Sequence, residues 1–85
     1  MINYDLNRPG QDYTDLISEI KRSQDWAKYL ISGWFIVTTE TPKQVYERLL
    51  KWIDSSDEIL INEFTSNYYG CLNKEIWEWL RKYNF

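Results

Sequence analysis

Asp5 closes a short apolar run, Ile2-Asn3-Tyr4-Asp5-Leu6, and the chain then breaks into Asn7-Arg8-Pro9-Gly10. Ile2 to Leu6 reads as a strand. The turn ends it, because proline removes a ladder donor and glycine supplies permissive dihedrals. An acid at the carboxyl end of a first strand, facing a loop into a helix, sits where open α/β sheets keep their sites. Arg8, in the same loop, is the natural contact for a phosphate, and Asn7 can orient a water or a ligand. Each also has a local reading. Asp5 can accept hydrogen bonds from the turn at Arg8–Gly10, Arg8 can pair with Asp12 or Asp15, and Asn7 is an ordinary turn residue.

The remaining reactive types carry weaker patterns. Asp54, Asp57 and Glu58 form an acidic cluster without the spacing and glycine of a calcium loop, so a solvated helix-end turn is expected. Cys71 has no activating base, since the chain contains no His, and it reads as a small packed residue. Tyr68, Tyr69 and Trp34 can stack bases. With no basic groove around them, core or interface packing is expected.

The elements that must position these residues follow from pattern. Tyr13, Leu16, Ile17 and Ile20 repeat as one helix face, with Asp12 as N-cap and Lys21 and Arg22 in the last turn. Trp26–Ile31 and Trp34–Thr39 read as a hairpin about Ser32-Gly33. The nearly continuous apolar run Trp34-Phe35-Ile36-Val37 suits a central strand. Thr41-Pro42-Lys43-Gln44 is a capping box with proline at the first helical position. Val45, Leu49 and Trp52 continue that helix as a stripe. Glu58–Thr65 reads as a fourth strand and Ser66–Leu72 as a loop. Asn73 caps a last helix that carries Ile76, Trp77, Leu80 and Tyr83. Trp77 and Trp79, two apart, point to different faces of it. The order β-α-β-β-α-β plus a helix predicts an α+β, ferredoxin-like domain over residues 1–85. Its four-stranded antiparallel sheet has the first and third strands at the centre. Both main helices lie on one face, and a second copy or the C-terminal helix covers the other.

Composition narrows the function classes. The chain has 85 residues, a net charge of −3 and 18% aromatic residues. So many rings exceed one small core, which predicts a subunit interface. No basic stripe marks a phosphate-backbone grip. Without His, imidazole proton shuttling and His-ligated zinc are excluded. A single Cys cannot form an internal disulfide and fits a reducing compartment, so the cytoplasm is expected. No apolar stretch is long enough to span a membrane, so no membrane partner is expected.

Tyr4-Asp5-Leu6 closing the first strand, a hairpin ending in Trp34-Phe35-Ile36 and the chain length resemble the small CRISPR-associated "Cas-two" proteins and the related VapD toxins. The stretch Tyr4-Asp5-Leu6-Asn7-Arg8-Pro9-Gly10-Gln11-Asp12-Tyr13 is closer still to a bacterial branch labelled SinR-like. The resemblance covers about residues 2 to 65. It implies a ferredoxin-like homodimer with Asp5 of each subunit near the twofold axis. There the aspartate pair binds Mg²⁺ or Mn²⁺ and cleaves RNA or DNA. Asp5 would then be both metal ligand and catalytic residue, with Arg8 and Asn7 toward substrate. The chain departs from the pattern in two places. Relatives follow the aspartate with a basic stretch, and they end in a strand that pairs across the dimer, where this chain has the Asn73–Tyr83 helix. The alternative expectation is a non-catalytic dimeric module that binds a protein partner in a defence or toxin–antitoxin system.

Overall fold

The structure, a computed structural model, describes residues 1–5 and 13–83. Its elements run β1 (Ile2–Asp5), α1 (Thr14–Ile20), β2 (Asp25–Leu30), β3 (Gly33–Val37), α2 (Pro42–Leu49), a 3-10 turn (Leu50–Trp52), β4 (Glu58–Ile61) and α3 (Lys74–Arg81). The strands form one antiparallel sheet in the order β2-β3-β1-β4. The continuously apolar β3 therefore lies inside the sheet beside β1, as its pattern predicts.

Helix ends follow local chemistry. The Gln44 amide donates to Thr41 Oγ1 at 3.2 Å, and the Thr41 amide donates to Gln44 Oε1 at 2.9 Å. The capping box is thus complete, with Pro42 just inside it. At α3 the Ile76 amide donates to Asn73 Oδ1 at 3.0 Å. α1 differs from expectation. Its N-cap position is Tyr13, whose side chain makes no capping bond, and Asp12 lies outside the described residues. It ends at Ile20, with Lys21 at the C-cap, so its last turn holds no cation. Arg48 of α2 supplies one by donating to the Glu19 carbonyl.

β4 stops at Ile61 rather than at Thr65. The register runs from Asp5 opposite Glu58 to Ile2 opposite Ile61, and Met1 and Asn62 exchange backbone hydrogen bonds of 2.8 and 3.0 Å just beyond it. Phe64, assigned to that strand from its pattern, packs instead against the α3 side of the sheet.

Strand alternation sends side chains to two faces. On the first, Ile2 and Trp34 pack with Leu16 and Ile20 of α1 and with Val45 and Leu49 of α2. On the second, Ala27 and Phe35 pack beneath Ile76, Trp79 and Leu80 of α3. Each fully buried large apolar side chain contributes about 1.5–3 kcal/mol. Of the two alternatives for the second face, the C-terminal helix covers its β2–β3 half. Trp79 is buried there, and Trp77, two residues earlier, is half-buried beside Tyr68. The Tyr83 hydroxyl donates to Asp25 and ties the end of α3 to the start of β2.

Candidate functional site on the open half of the sheet

α3 leaves the β1–β4 half of the second face bare. Asn3 and Asp5 point that way from β1, opposite Leu60 and Glu58 of β4. Asp5, Glu58 and Leu60 are exposed, Leu60 to 65%. Asn3 marks the border with the α3 side, where the Tyr29 hydroxyl donates to its Oδ1 at 3.0 Å. Tyr4, between Asn3 and Asp5, faces the other way. Its hydroxyl accepts the Trp34 indole N–H at 2.9 Å, and its amide donates to the Ser32 carbonyl at 3.0 Å. Asp5 therefore follows a residue anchored through both its side chain and its backbone.

Glu58 directly opposite Asp5 is the feature that the sequence pattern missed. Like charges facing each other across an antiparallel pair are destabilising. Two carboxylates also meet the minimum protein contribution to a Mg²⁺ site, which keeps several waters. Among the described residues no group of three or more His, Cys, Asp or Glu is placed to hold a metal ion. The sequence groups Glu58 with Asp54 and Asp57, and the geometry separates them. Asp57 accepts the Tyr13 hydroxyl at 2.9 Å and the Asp54 amide at 2.8 Å, while Asp54 accepts the Ser56 amide at 3.1 Å. Those two acids shape the turn before β4. Arg8 and Asn7, the substrate-side residues expected beside Asp5, lie outside the described residues.

Of the other candidates, Trp34 and Tyr68 resolve into packing, and Tyr69 and Cys71 do not. Trp34 is buried, 2% exposed. Tyr68 stacks on Phe64 with ring centroids 5.0 Å apart and leans on Trp77. Tyr69 does not pack and stands in solvent. Cys71 is exposed, contrary to its reading as a packed residue.

Two polar clusters outside the open strip are structural. Arg48 donates to both oxygens of Glu40 at 3.1 and 3.2 Å and to Ser23 Oγ at 3.0 Å, and it lies 3.6 Å from the buried Glu19 carboxylate. Partial burial raises the Glu40 carboxyl, but bonds from Arg48 and Thr38 outweigh it and hold the group below its ordinary value. The second cluster is the α3 clasp. The Tyr83 hydroxyl holds the Asp25 carboxyl below its usual range, and the same bond raises the Tyr83 phenol. The Trp79 indole N–H adds to the field on Asp25 without reaching hydrogen-bond geometry, and among the described residues it has no hydrogen-bond partner.

A groove of about 640 Å³ opens at the opposite end of the sheet from Asp5, floored by Ile36, Val45, Ile61 and Phe64. Its rim groups Thr38, Glu40 and Thr41 already bond one another, Arg48 or Gln44. Among the described residues no helix is long and apolar enough to cross a membrane. Comparison with protein-family models, curated proteins and solved structures found no match to this chain.

Proposed function

We propose that this chain is a ferredoxin-like, dimeric interaction module of the cytoplasm whose bare β1–β4 strip is the contact between copies. The sheet order, with α1 and α2 together on one face, supports the ferredoxin-like assignment. The lone exposed thiol of Cys71 suits a reducing compartment. The observation that carries the proposal is Leu60, 65% exposed on the β1–β4 half of the face, while α3 covers Ala27 and Phe35 on the other half. An apolar side chain on an open sheet half is what a second layer would bury. Sedimentation equilibrium tests it. The wild type should be a dimer at micromolar concentration, and Leu60→Arg a folded monomer. A wild-type monomer, or a Leu60→Arg dimer of unchanged affinity, refutes it.

A second reading is favoured by the register that sets Asp5 opposite Glu58. It is a nuclease that cleaves RNA or DNA with Mg²⁺ or Mn²⁺ held by Asp5. A cation bound between these carboxylates would relieve their repulsion and supply an activated water. Asp5 would hold it, Glu58 would orient its waters, and Arg8 would pair with the phosphate. Labelled single- and double-stranded RNA and DNA, incubated with either metal, should be cleaved by the wild type and not by Asp5→Ala. Equal cleavage by both proteins removes Asp5 from the chemistry.

A further inference from the structure

We propose that the outer edge of β2 accepts an acidic, extended polypeptide segment as an added strand, selected by Lys21 and Lys28. Among the described residues β2 is the outermost strand on its side of the sheet and pairs only with β3. The Trp26 amide turns away from β3 and donates to the Asp25 carboxylate at 2.8 Å. The β2–β3 register stays in step from Asp25 to Lys28 and shifts between Lys28 and Leu30, so alternation puts the Lys28 amide and carbonyl on the same outward side just ahead of that irregularity, available to a new ladder. Strand addition of this kind uses such main-chain groups for affinity and flanking side chains for choice of partner.

The flanking side chains here are cationic. The Lys21 ammonium lies 4.8 Å from the Trp26 ring centroid and 6.0 Å from that of Trp34, and the Lys28 ammonium lies 5.4 Å from Trp34. Neither lysine pairs with a carboxylate among the described residues. The neighbouring Arg22 does, with Glu19 at 3.3 Å. Two ammonium groups thus converge on one indole pair at an open edge, in a chain whose net charge is −3. Trp26, 38% exposed, adds an apolar contact beside them. A lysine on an edge strand also keeps unwanted strands away. That charge repels a basic strand and strands an apolar one, but a carboxylate opposite Lys28 satisfies it. The guard and the selector are therefore one group.

The test uses a short blocked peptide alternating glutamate and valine, its lysine-for-glutamate counterpart and an oligothymidylate. Readouts are hydrogen exchange at the Lys28 amide and the Trp26 indole resonance. The acidic peptide should protect the Lys28 amide, bind more weakly as salt rises, and lose at least about tenfold in affinity to the double variant Lys21→Gln, Lys28→Gln. Leu60→Arg should bind it like the wild type, which keeps this outcome separate from that of the β1–β4 contact. Four results would overturn the proposal: no protection of the Lys28 amide, equal binding of the lysine counterpart, equal binding by a folded double variant, or protection by the oligothymidylate alone. Concentration-dependent protection without peptide would assign the edge to a second copy and overturn it as well.

Discussion

On the face beneath α1 and α2, six buried side chains from two strands and two helices close a core. On the opposite face α3, with Phe64 and Tyr29 beside it, covers Ala27 and Phe35 and leaves Asp5, Glu58 and Leu60 exposed. The difference lies in how the covering helices are connected. α1 and α2 are the crossovers between strands, so forming the sheet brings them to its surface. α3 comes after the irregular stretch from Asn62 to Asn73 and is held by its own contacts: the Asn73 cap, three buried side chains and the Tyr83–Asp25 clasp. The first face is therefore inseparable from the sheet, whereas the second is a layer added to it.

That contrast breaks or sharpens under substitution. The largest effect is expected for Trp34→Ala, about 3–5 kcal/mol in urea denaturation. It should unfold both layers together, because β3 carries both cores. Trp79→Ala removes a side chain of similar size, but it should melt α3 while first-face amides keep their hydrogen-exchange protection. Loss of both layers in step would show that the faces are one unit. Arg48→Met should cost about 2–3 kcal/mol by depriving the buried Glu19 and its carbonyl of a charged donor, with no separate effect on α3. Thr41→Ala should cost about 1 kcal/mol, read as a lower melting temperature.

The clasp gives α3 a pH dependence at both extremes, whereas Glu40, held below its ordinary value by Arg48 and Thr38, gives the first face one on the acid side. Asp25 titrates below its ordinary value in the folded chain. Its stabilisation is present above the usual carboxylate range and is lost as pH falls through the depressed value. Tyr83 titrates above its ordinary 10.0, so its stabilisation is present below that pH and is lost as pH rises through the raised value. Near-ultraviolet signals from α3 should weaken at both extremes, and Tyr83→Phe should abolish the alkaline response and weaken the acid one, since the Trp26 amide and Lys82 still lower Asp25. The smallest effect belongs to the open strip. Glu58→Gln should stabilise the fold by about 0.2–1 kcal/mol by removing a charge opposite Asp5. A loss of stability would mean that the acid pair is satisfied by something else.

Features encoded within a few residues were legible in the sequence. The capping box at Thr41, the cap at Asn73 and the inner position of β3 each rest on local chemistry or on one run of apolar side chains. Features set by partners were not. The length of β4 depends on β1, and the cation at the end of α1 comes from Arg48, far along the chain. For the candidate site, the pattern placed Asp5 at the end of its strand but could not supply the register that brings Glu58 opposite. The lysine–indole cluster escaped for the same reason. Alternation places Trp26 and Lys28 on one side of β2, but Lys21 joins them only through the packing of α1.

Gly33 has one more consequence. A Cβ built at this position would lie 2.5 Å from the Tyr29 ring and 3.1 Å from Asn3 Oδ1. The Tyr29 ring in turn sits 4.4 Å from that of Phe35, on which α3 rests. A single methyl group there would displace the ring, detach its hydroxyl from Asn3 and disturb the seat of a helix it never touches. In a saturation scan Gly33 should therefore tolerate replacement as poorly as the most deeply packed positions, although it contributes no side chain of its own. Its importance to the chain is the volume that it leaves empty for its neighbours.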